Sequence, residues 1–251
     1  MNSTERRLKI YDILVEKETI DVGELSQHFG VSPMTIRRDL AIFEKQGVLT
    51  TTYGGAYLNQ TAPDNVGGAV SQLDDNTRRI GMSAMRLVKN GDHIFIDSGA
   101  MTAGIAYGIR NLRVTVITNS LTAANILRAY PKIELIMAPG GYNDDLGGFV
   151  SSATISFIRH YNFDLSILNG DHLDTGYGLT AENETDAHLK ATAIDSSKKT
   201  AVMIKSDDIG EAAFAQVVAL RRIDYVVTDR GISADDQAAI EQRGPQVFLT
   251  D

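Results

Sequence analysis

VSPMTIRRDL, residues 31–40, is the segment on which the interpretation of this chain depends, because it predicts a helix with its own start signal. Ser32 is suited to cap the helix, and Pro33 follows at the first helical position, where its missing N–H is harmless. Ile36 and Leu40 are four residues apart and would therefore face the interior together.

The remaining positions of this helix would face solvent, where Thr and Arg side chains can reach base edges and phosphates in a DNA major groove. We therefore predict a DNA-recognition helix. An arginine pair on a solvated amphipathic helix is the alternative, and the preceding segment argues against it. The predicted contact residues on this helix are Ser32, Met34, Thr35, Arg37 and Arg38.

Two shorter patterns lead into the recognition helix and one follows it. Residues 5–15 have helical spacing, and a second helix is predicted between the N-cap Asp21 and the terminating Gly30. The tight turn after Gly30 is what a helix-turn-helix requires. Residues 48–58, VLTTTYGGAYL, predict a two-stranded wing around two glycines. Its polar residues Thr52 and Tyr53 are predicted DNA contacts, although such residues also simply favour strands.

Composition limits the other possibilities. The chain has 251 residues and no cysteine, which excludes disulfides and thiolate chemistry. No cofactor, metal site or catalytic residue is predicted, and neither a signal peptide nor an apolar run of bilayer length occurs, so we expect a cytoplasmic protein. The net charge is −8, and residues 1–60 hold 7 Lys and Arg against 8 Asp and Glu. Bulk charge therefore counts against DNA binding, which must depend on local arginines.

The first 57 residues resemble the winged helix-turn-helix of the DeoR family of bacterial sugar-operon repressors. VSPMTIRRDL and the triplet at residues 54–56, Gly-Gly-Ala, carry the resemblance. The chain departs from the family at Thr51, where an arginine is usual, and at Tyr53, where a histidine is common. The resemblance implies binding to double-stranded operator DNA, and helix-turn-helix proteins usually read paired half-sites as homo-oligomers, here a dimer or tetramer.

A second domain is predicted after a polar linker. We place the DNA-binding domain at 1–58, the linker at 59–76 and an α/β domain at 77–251. Seven short apolar runs predict strands of a mainly parallel sheet, in which ligands bind beyond the carboxyl ends of the strands. These runs are HIFID (93–97), VTVIT (114–118), IELIMA (133–138), LSIL (165–168), TAVMI (200–204), DYVVT (224–228) and QVFLT (246–250).

Small and polar residues follow several of these runs. Taken singly, such residues mostly make turns and helix caps, but their shared position favours a pocket for a small anionic ligand. The predicted effector-binding residues are Asp97, Gly99, Ala100, Met101, Thr102, Thr118, Asn119, Gly140, Gly141, Gly170, Asp186 and Lys190.

The DeoR resemblance covers this region too. It implies a domain similar to the ribose-5-phosphate isomerase fold, which senses phosphorylated sugars or related metabolites. Two departures concern the ligand: Ala100 and Met101 replace hydroxyl residues, and Asp208 stands where the family has a lysine. We expect a transcriptional repressor of a carbohydrate operon, controlled by a phosphorylated sugar-derived effector. The alternative is an isomerase-like enzyme with a tethered DNA-binding module, using Asp97, Asp186 and Lys190 as acid and base.

Overall fold

The computed structural model describes residues 3–17, 19–45, 49–52, 54–58 and 74–250. Residues 46–48, Tyr53 and most of the predicted linker lie outside these ranges. Contacts divide the chain into two compact units, Met1–Ser71 and Gln72–Asp251. Each unit is described by itself below.

The first unit is a winged helix-turn-helix, as predicted. Strand β3 lies between β1 and β2 and pairs antiparallel with both. The sequence patterns missed β1. The elements are α1 (Ser3–Lys17), β1 (Thr19–Asp21), α2 (Val22–Phe29), α3 (Pro33–Lys45), β2 (Leu49–Thr51) and β3 (Gly55–Leu58).

Local chemistry sets the ends of these elements. The Asp21 carboxylate accepts hydrogen bonds from the N–H groups of Gly23 and Glu24, at 2.7 and 3.0 Å, and so caps α2. Gly30 ends the helix in the left-handed conformation, with φ of 64°. At Gly55 an added Cβ would lie 2.0 Å from the Ile20 carbonyl oxygen, so only glycine allows β1 and β3 to approach this closely.

The second unit alternates helices and strands around one sheet. Its helices are α4 (Asp75–Ser83), α5 (Thr102–Ile109), α6 (Leu121–Leu127), α7 (Ser152–Ile158), α8 (Glu184–Asp195) and α9 (Ala234–Glu241). Its strands are β4 (His93–Ile96), β5 (Val114–Thr118), β6 (Ile133–Met137), β7 (Tyr142–Asn143), β8 (Gly148–Phe149), β9 (Leu165–Asn169), β10 (His172–Asp174), β11 (Gly178–Ala181), β12 (Thr200–Met203), β13 (Ala215–Val218), β14 (Tyr225–Thr228) and β15 (Gln246–Leu249). Short 3₁₀ turns occupy 84–87, 206–208 and 220–222.

The main sheet has seven strands in the order β15-β14-β12-β9-β4-β5-β6, and every pairing is parallel. All seven apolar runs of the sequence are strands of this sheet, which confirms the predicted α/β class. The patterns missed the antiparallel sheet β10-β11-β13 and the hairpin β7-β8. Over the described residues, the helices are too short or too polar to traverse a bilayer.

Helices α4 and α5 pack with their backbones in contact. Cβ atoms added at Gly81 and Gly104 would lie 2.3 Å from the Met101 carbonyl oxygen and 2.9 Å from that of Arg78, respectively. Helix α4 begins two residues before the predicted domain boundary at residue 77, because the Asp74 carboxylate accepts hydrogen bonds from the N–H and hydroxyl of Thr77, at 2.9 and 2.6 Å. The last residues of the predicted linker are therefore helical.

Replacing Gly104 with alanine should destabilise the second unit. The new methyl group would meet only backbone atoms, which cannot move away separately, so we expect a loss of about 1–3 kcal/mol in the free energy of unfolding. Gly108→Ala on the same helix is the matched control, because its methyl group would meet only the Met85 side chain, at 3.0 Å. Urea titrations followed by circular dichroism would measure both. Equal stability of the two variants would contradict the prediction.

Candidate functional site

The recognition helix α3 presents its predicted contact residues to solvent, except that Thr35 is half-buried. The Ser32 hydroxyl accepts a hydrogen bond from the Thr35 N–H at 3.2 Å and so caps the helix. Met34 is 55% exposed, and Arg37 and Arg38 are also exposed. Neither arginine forms an ion pair with another described residue. Both guanidinium groups are therefore available for a partner.

A buried ion pair fixes the opposite side of α3. The Asp39 carboxylate accepts a hydrogen bond from Arg6 Nε on α1 at 2.7 Å, and Arg7 Nε lies 3.9 Å from the same carboxylate. Only 7% of the Asp39 side chain is exposed. Leaving one partner of such a pair unpaired is costly, so the pair restrains how α3 lies on α1. Sequence reasoning missed it, because an acid in an amphipathic pattern is usually solvated.

The wing is tied to the end of α3. The N–H and hydroxyl of Thr51 both donate to one Glu44 carboxylate oxygen, at 2.9 and 2.6 Å, and these bonds lower the pKa of Glu44. Thr51 stands where the family usually has an arginine, and its hydroxyl is engaged within the protein. Thr52 is exposed, although its hydroxyl accepts a hydrogen bond from the Gly55 N–H at 3.2 Å.

In the second unit, the strand order locates a crevice. Strand β4 is followed along the chain by β5 and β6 on one side, whereas β9, β12, β14 and β15 extend the sheet on the other. The direction of winding therefore reverses between β4 and β9. In open parallel sheets, ligands bind outside the carboxyl ends of the strands at such a switch point.

A buried lysine and two buried aspartates lie at this switch point. Asp97 follows β4, and helix α8 contributes Asp186 and Lys190 from one face, four residues apart. Lys190 Nζ contacts Asp186 Oδ2 and lies 3.6 Å from Asp97 Oδ2. All three side chains are at most 2% exposed. Asp186 Oδ1 is buried and has no hydrogen-bond partner in the described part of the chain.

The electrostatics of this cluster follow from burial and from an excess of acid. Burial, above all, raises the pKa of Asp97 to about 7, despite the opposing effect of Lys190. Burial likewise raises the pKa of Asp186. Burial alone would lower the pKa of Lys190, but Asp97, Asp186 and Asp171 together raise it, so the lysine stays charged. The three described carboxylates around Lys190 outnumber it.

Asn169, at the end of β9, organises the loop after β4. Its side-chain oxygen accepts from the Met101 N–H at 2.9 Å, and its side-chain nitrogen donates to the Thr102 hydroxyl at 3.0 Å. Thr102 in turn donates to the Asp97 carbonyl at 2.7 Å. A Cβ at Gly99, where φ is 135°, would lie 2.6 Å from the Asn169 side chain. Asn169 was not among the residues predicted from the sequence to bind the effector.

This loop leaves two backbone N–H groups available. Gly99 and Ala100 are exposed, and their N–H groups have no partner within the described ranges. Helix α5 begins two residues later and has no side-chain cap. A helix start with available N–H groups favours an anion. Met101 and Thr102 are both buried, so their side chains face the interior rather than this opening.

The other predicted effector residues lie either beside this cluster or farther along the carboxyl edge of the sheet. Asn119 Oδ1 accepts from the Ser98 N–H at 3.0 Å, which brings β5 into the cluster, whereas the buried Thr118 hydroxyl donates to the Ile96 carbonyl. Gly170, at the end of β9, is also buried beside the cluster. Gly140 and Gly141 lie farther along the edge, beyond β6. There a Cβ at Gly140 would lie 2.2 Å from the Thr154 hydroxyl.

Comparison with known proteins identifies the family. The model of the DeoR C terminal sensor domain matches residues 74–230, and that of the DeoR-like helix-turn-helix domain matches residues 6–62. The chain belongs to the DeoR family. The member described here is 30% identical to a protein of Escherichia coli O157:H7 named for transcriptional repression of the aga operon, over 98% of this chain and 94% of that protein.

Two further DeoR-type relatives have similar values. The glycerol-3-phosphate regulon repressor of Escherichia coli K12 is 27% identical, over 91% of this chain and 92% of that protein. The lactose phosphotransferase system repressor of Staphylococcus epidermidis is 28% identical, over 91% and 93%. The family assignment thus extends over nearly the whole chain.

Solved structures show a weaker likeness. The sorbitol operon regulator SorC of Klebsiella pneumoniae has a TM-score of 0.40 and 14% identity, covering 93% of this chain and 98% of that one. Ribose 5-phosphate isomerase A of Neisseria gonorrhoeae has a TM-score of 0.36 and 14% identity, over 53% and 52%.

The raised pKa of Asp97 predicts a pH dependence of stability in this DeoR-family protein. Its pKa is about 7 in the folded protein, against an ordinary 3.8, so folding favours the protonated form. The contribution of Asp97 is therefore greatest below about pH 4 and is lost as the pH rises through about 7. The thermal midpoint of wild type minus that of Asp97→Asn should therefore fall as the pH rises over this range.

Circular dichroism melts between about pH 4 and 8 would measure this difference. Asp145→Asn, which changes an exposed carboxylate of the same unit, is the control and should give a profile parallel to wild type. If Asp97→Asn is also parallel to wild type, the burial of Asp97 does not control its titration.

Proposed function

We propose that this DeoR-family protein is a repressor of a carbohydrate-metabolism operon. It binds operator DNA through α3 and the wing. A phosphorylated, sugar-derived effector binds at the carboxyl ends of β4 and β9 and controls that binding. No catalytic step is part of this function. The protein acts as a homo-oligomer, a dimer or tetramer, because helix-turn-helix proteins commonly read paired half-sites.

The observation that carries the proposal is the arginine pair on α3. Arg37 and Arg38 are exposed and unpaired within the described residues, on a helix held to α1 by the Arg6–Asp39 ion pair. Arginine can bind guanine edges through two hydrogen bonds or can contact phosphates. A fixed helix that presents two such groups is suited to a DNA major groove. The net negative charge of the chain then matters less than the local charge on this face.

The effector half of the proposal is supported by the chemistry at the switch point. The N–H groups of Gly99 and Ala100 suit a phosphate, and Asp186 Oδ1, which has no partner among the described residues, suits a hydroxyl group of a sugar. The relatives are named for regulation of glycerol-3-phosphate and lactose phosphotransferase genes, which agrees with such a metabolite. Localisation in the cytoplasm follows from an operator as the partner.

The second candidate function is an isomerase-like enzyme. Asp97, with its pKa raised by burial to about 7, resembles a general base, and Lys190 is charged. Lys190 is nevertheless only 2% exposed and contacts Asp186, so this lysine and Asp186 are engaged with each other. Incubation with pentose and hexose phosphates, followed by chromatography, separates the two functions. Conversion of any substrate that is lost in Asp97→Asn would establish the enzyme.

Replacing Arg37 or Arg38 with alanine should weaken operator binding. If the arginine contacts a base, its loss should cost about 1–3 kcal/mol of binding free energy and relax the sequence preference. If it contacts a phosphate, its loss should weaken binding to all sequences alike. Fluorescence anisotropy with operator and scrambled duplexes would separate these cases. Arg159→Ala is the control, since Arg159 is exposed in the other unit. Wild-type affinity in both α3 variants would refute DNA reading by this helix.

A further inference from the structure

The amino edge of the main sheet carries an open cleft where β4, β5 and β6 begin. The cleft has a volume of about 360 Å³ and is lined by Asn90, Asn111, Arg113 and Lys132. Arg113 directly precedes β5, and Lys132 directly precedes β6. The switch point lies at the other ends of these strands, and a five-residue strand such as β5 is roughly 16 Å long. The cleft is therefore separate from the effector site proposed above.

Two positive charges lie side by side in this cleft. Strands β5 and β6 pair with Val114 opposite Ile133, so the preceding residues Arg113 and Lys132 are neighbours at about the 4.8 Å spacing of adjacent strands. Both residues are exposed. Neither side chain forms an ion pair or a hydrogen bond with another described residue. Like charges at neighbouring positions of a sheet repel each other, and an anion bound between them would remove this repulsion.

The rest of the lining adds donors and no negative charge. Asn90 Oδ1 accepts a hydrogen bond from the Arg113 N–H at 2.7 Å, which fixes the amide and leaves its Nδ2 group available as a donor. The carboxylates nearest in sequence have other partners. Asp92 accepts from a backbone N–H at 2.7 Å, and Glu134 accepts from the Thr115 hydroxyl at 3.1 Å. The cleft thus presents a local excess of positive charge on a chain whose net charge is −8.

We propose that this cleft binds a phosphate group. A phosphate monoester carries a charge of about −1.5 to −2 at pH 7, which the two cations together match. The Arg113 guanidinium can bind two phosphate oxygens in parallel, while the Lys132 ammonium adds a point charge. A single carboxylate would neutralise only one of the two cations. This site goes beyond the proposed function and does not depend on it, because no residue of the cleft belongs to the carboxyl edge.

Thermal melts of the full-length protein in chloride and in inorganic phosphate, at equal ionic strength, would test the site. Phosphate stabilises many proteins without binding at a specific place, so variants must be compared. Wild type should show a saturable rise in thermal midpoint with phosphate. In Arg113→Gln and Lys132→Gln the rise should be smaller and shifted to about tenfold higher phosphate. Arg159→Gln, which removes an exposed arginine elsewhere in the same unit, should respond as wild type does.

The repulsion between the two cations gives a second readout. In dilute chloride, Arg113→Gln and Lys132→Gln should melt at a higher temperature than Arg159→Gln, because each removes one of two adjacent like charges while the net charge changes equally. In phosphate this order should reverse. If the two cleft variants are less stable than Arg159→Gln in both buffers, the cations have a structural role and the inference is wrong.

A free phosphorylated compound and the DNA backbone can both supply a phosphate group, and DNA titrations distinguish them. Fluorescence anisotropy with duplexes of unrelated sequence, at several salt concentrations, would be measured for wild type and Arg113→Gln. If the cleft binds the backbone, the variant should bind every duplex more weakly, with a salt slope lower by about 1. Unchanged DNA binding, together with a loss of the phosphate effect, would assign the cleft to free compounds.

One combination of results would overturn the inference. If wild type and all three variants respond equally to phosphate, the anion binds elsewhere, for example at the N–H groups of Gly99 and Ala100. If Arg113→Gln also binds DNA as wild type does, the cleft takes no phosphate from either source. The proposed function would be unaffected by that outcome, since operator reading is assigned to α3 and effector binding to the carboxyl edge.

Discussion

The arrangement of the second unit depends on holding one buried ammonium group among carboxylates at the point where the sheet reverses its winding. Lys190 reaches this point from α8, while Asp97 and Asn169 reach it from the ends of β4 and β9. Each charged member of the cluster must lie close to a partner of opposite charge, because an unpaired buried charge is costly. The loop after β4 is correspondingly fixed by Asn169, and its tight path requires Gly99.

That same loop leads into the packing between helices. Met101, whose N–H is held by Asn169, has its carbonyl oxygen directly against Gly81 of α4. The start of helix α4 also contacts the carboxyl edge on the other side of β4, where Asn76 hydrogen-bonds Asp229 beyond β14 and Asp74 pairs with Lys205 at 3.3 Å. The first helix of the unit is thus built against loops from two parts of the carboxyl edge. Glycine makes the closest of these contacts possible.

The first unit uses a buried ion pair for a different purpose. Arg6 and Asp39 lie between α1 and α3, and their geometry fixes a helix whose other face carries Arg37 and Arg38. Apolar contacts through Ile36 and Leu40 hold α3 in the core but do not by themselves fix its rotation as strictly. A directional, charge-assisted hydrogen bond adds that constraint. The core and the ion pair together determine which side chains of α3 face outward.

The amino-acid sequence was sufficient to predict the elements whose signals are local. The caps at Asp21, Ser32 and Gly30 and the seven apolar runs act through neighbouring residues, so the helix-turn-helix and the parallel sheet could be predicted. It also indicated most residues of the carboxyl edge, since these follow strands directly. Local patterns did not predict the strand order, the sheet β10-β11-β13, the Arg6–Asp39 pair or the role of Asn169. These depend on contacts between residues far apart in the chain, and no local spacing encodes which distant donor meets which acceptor.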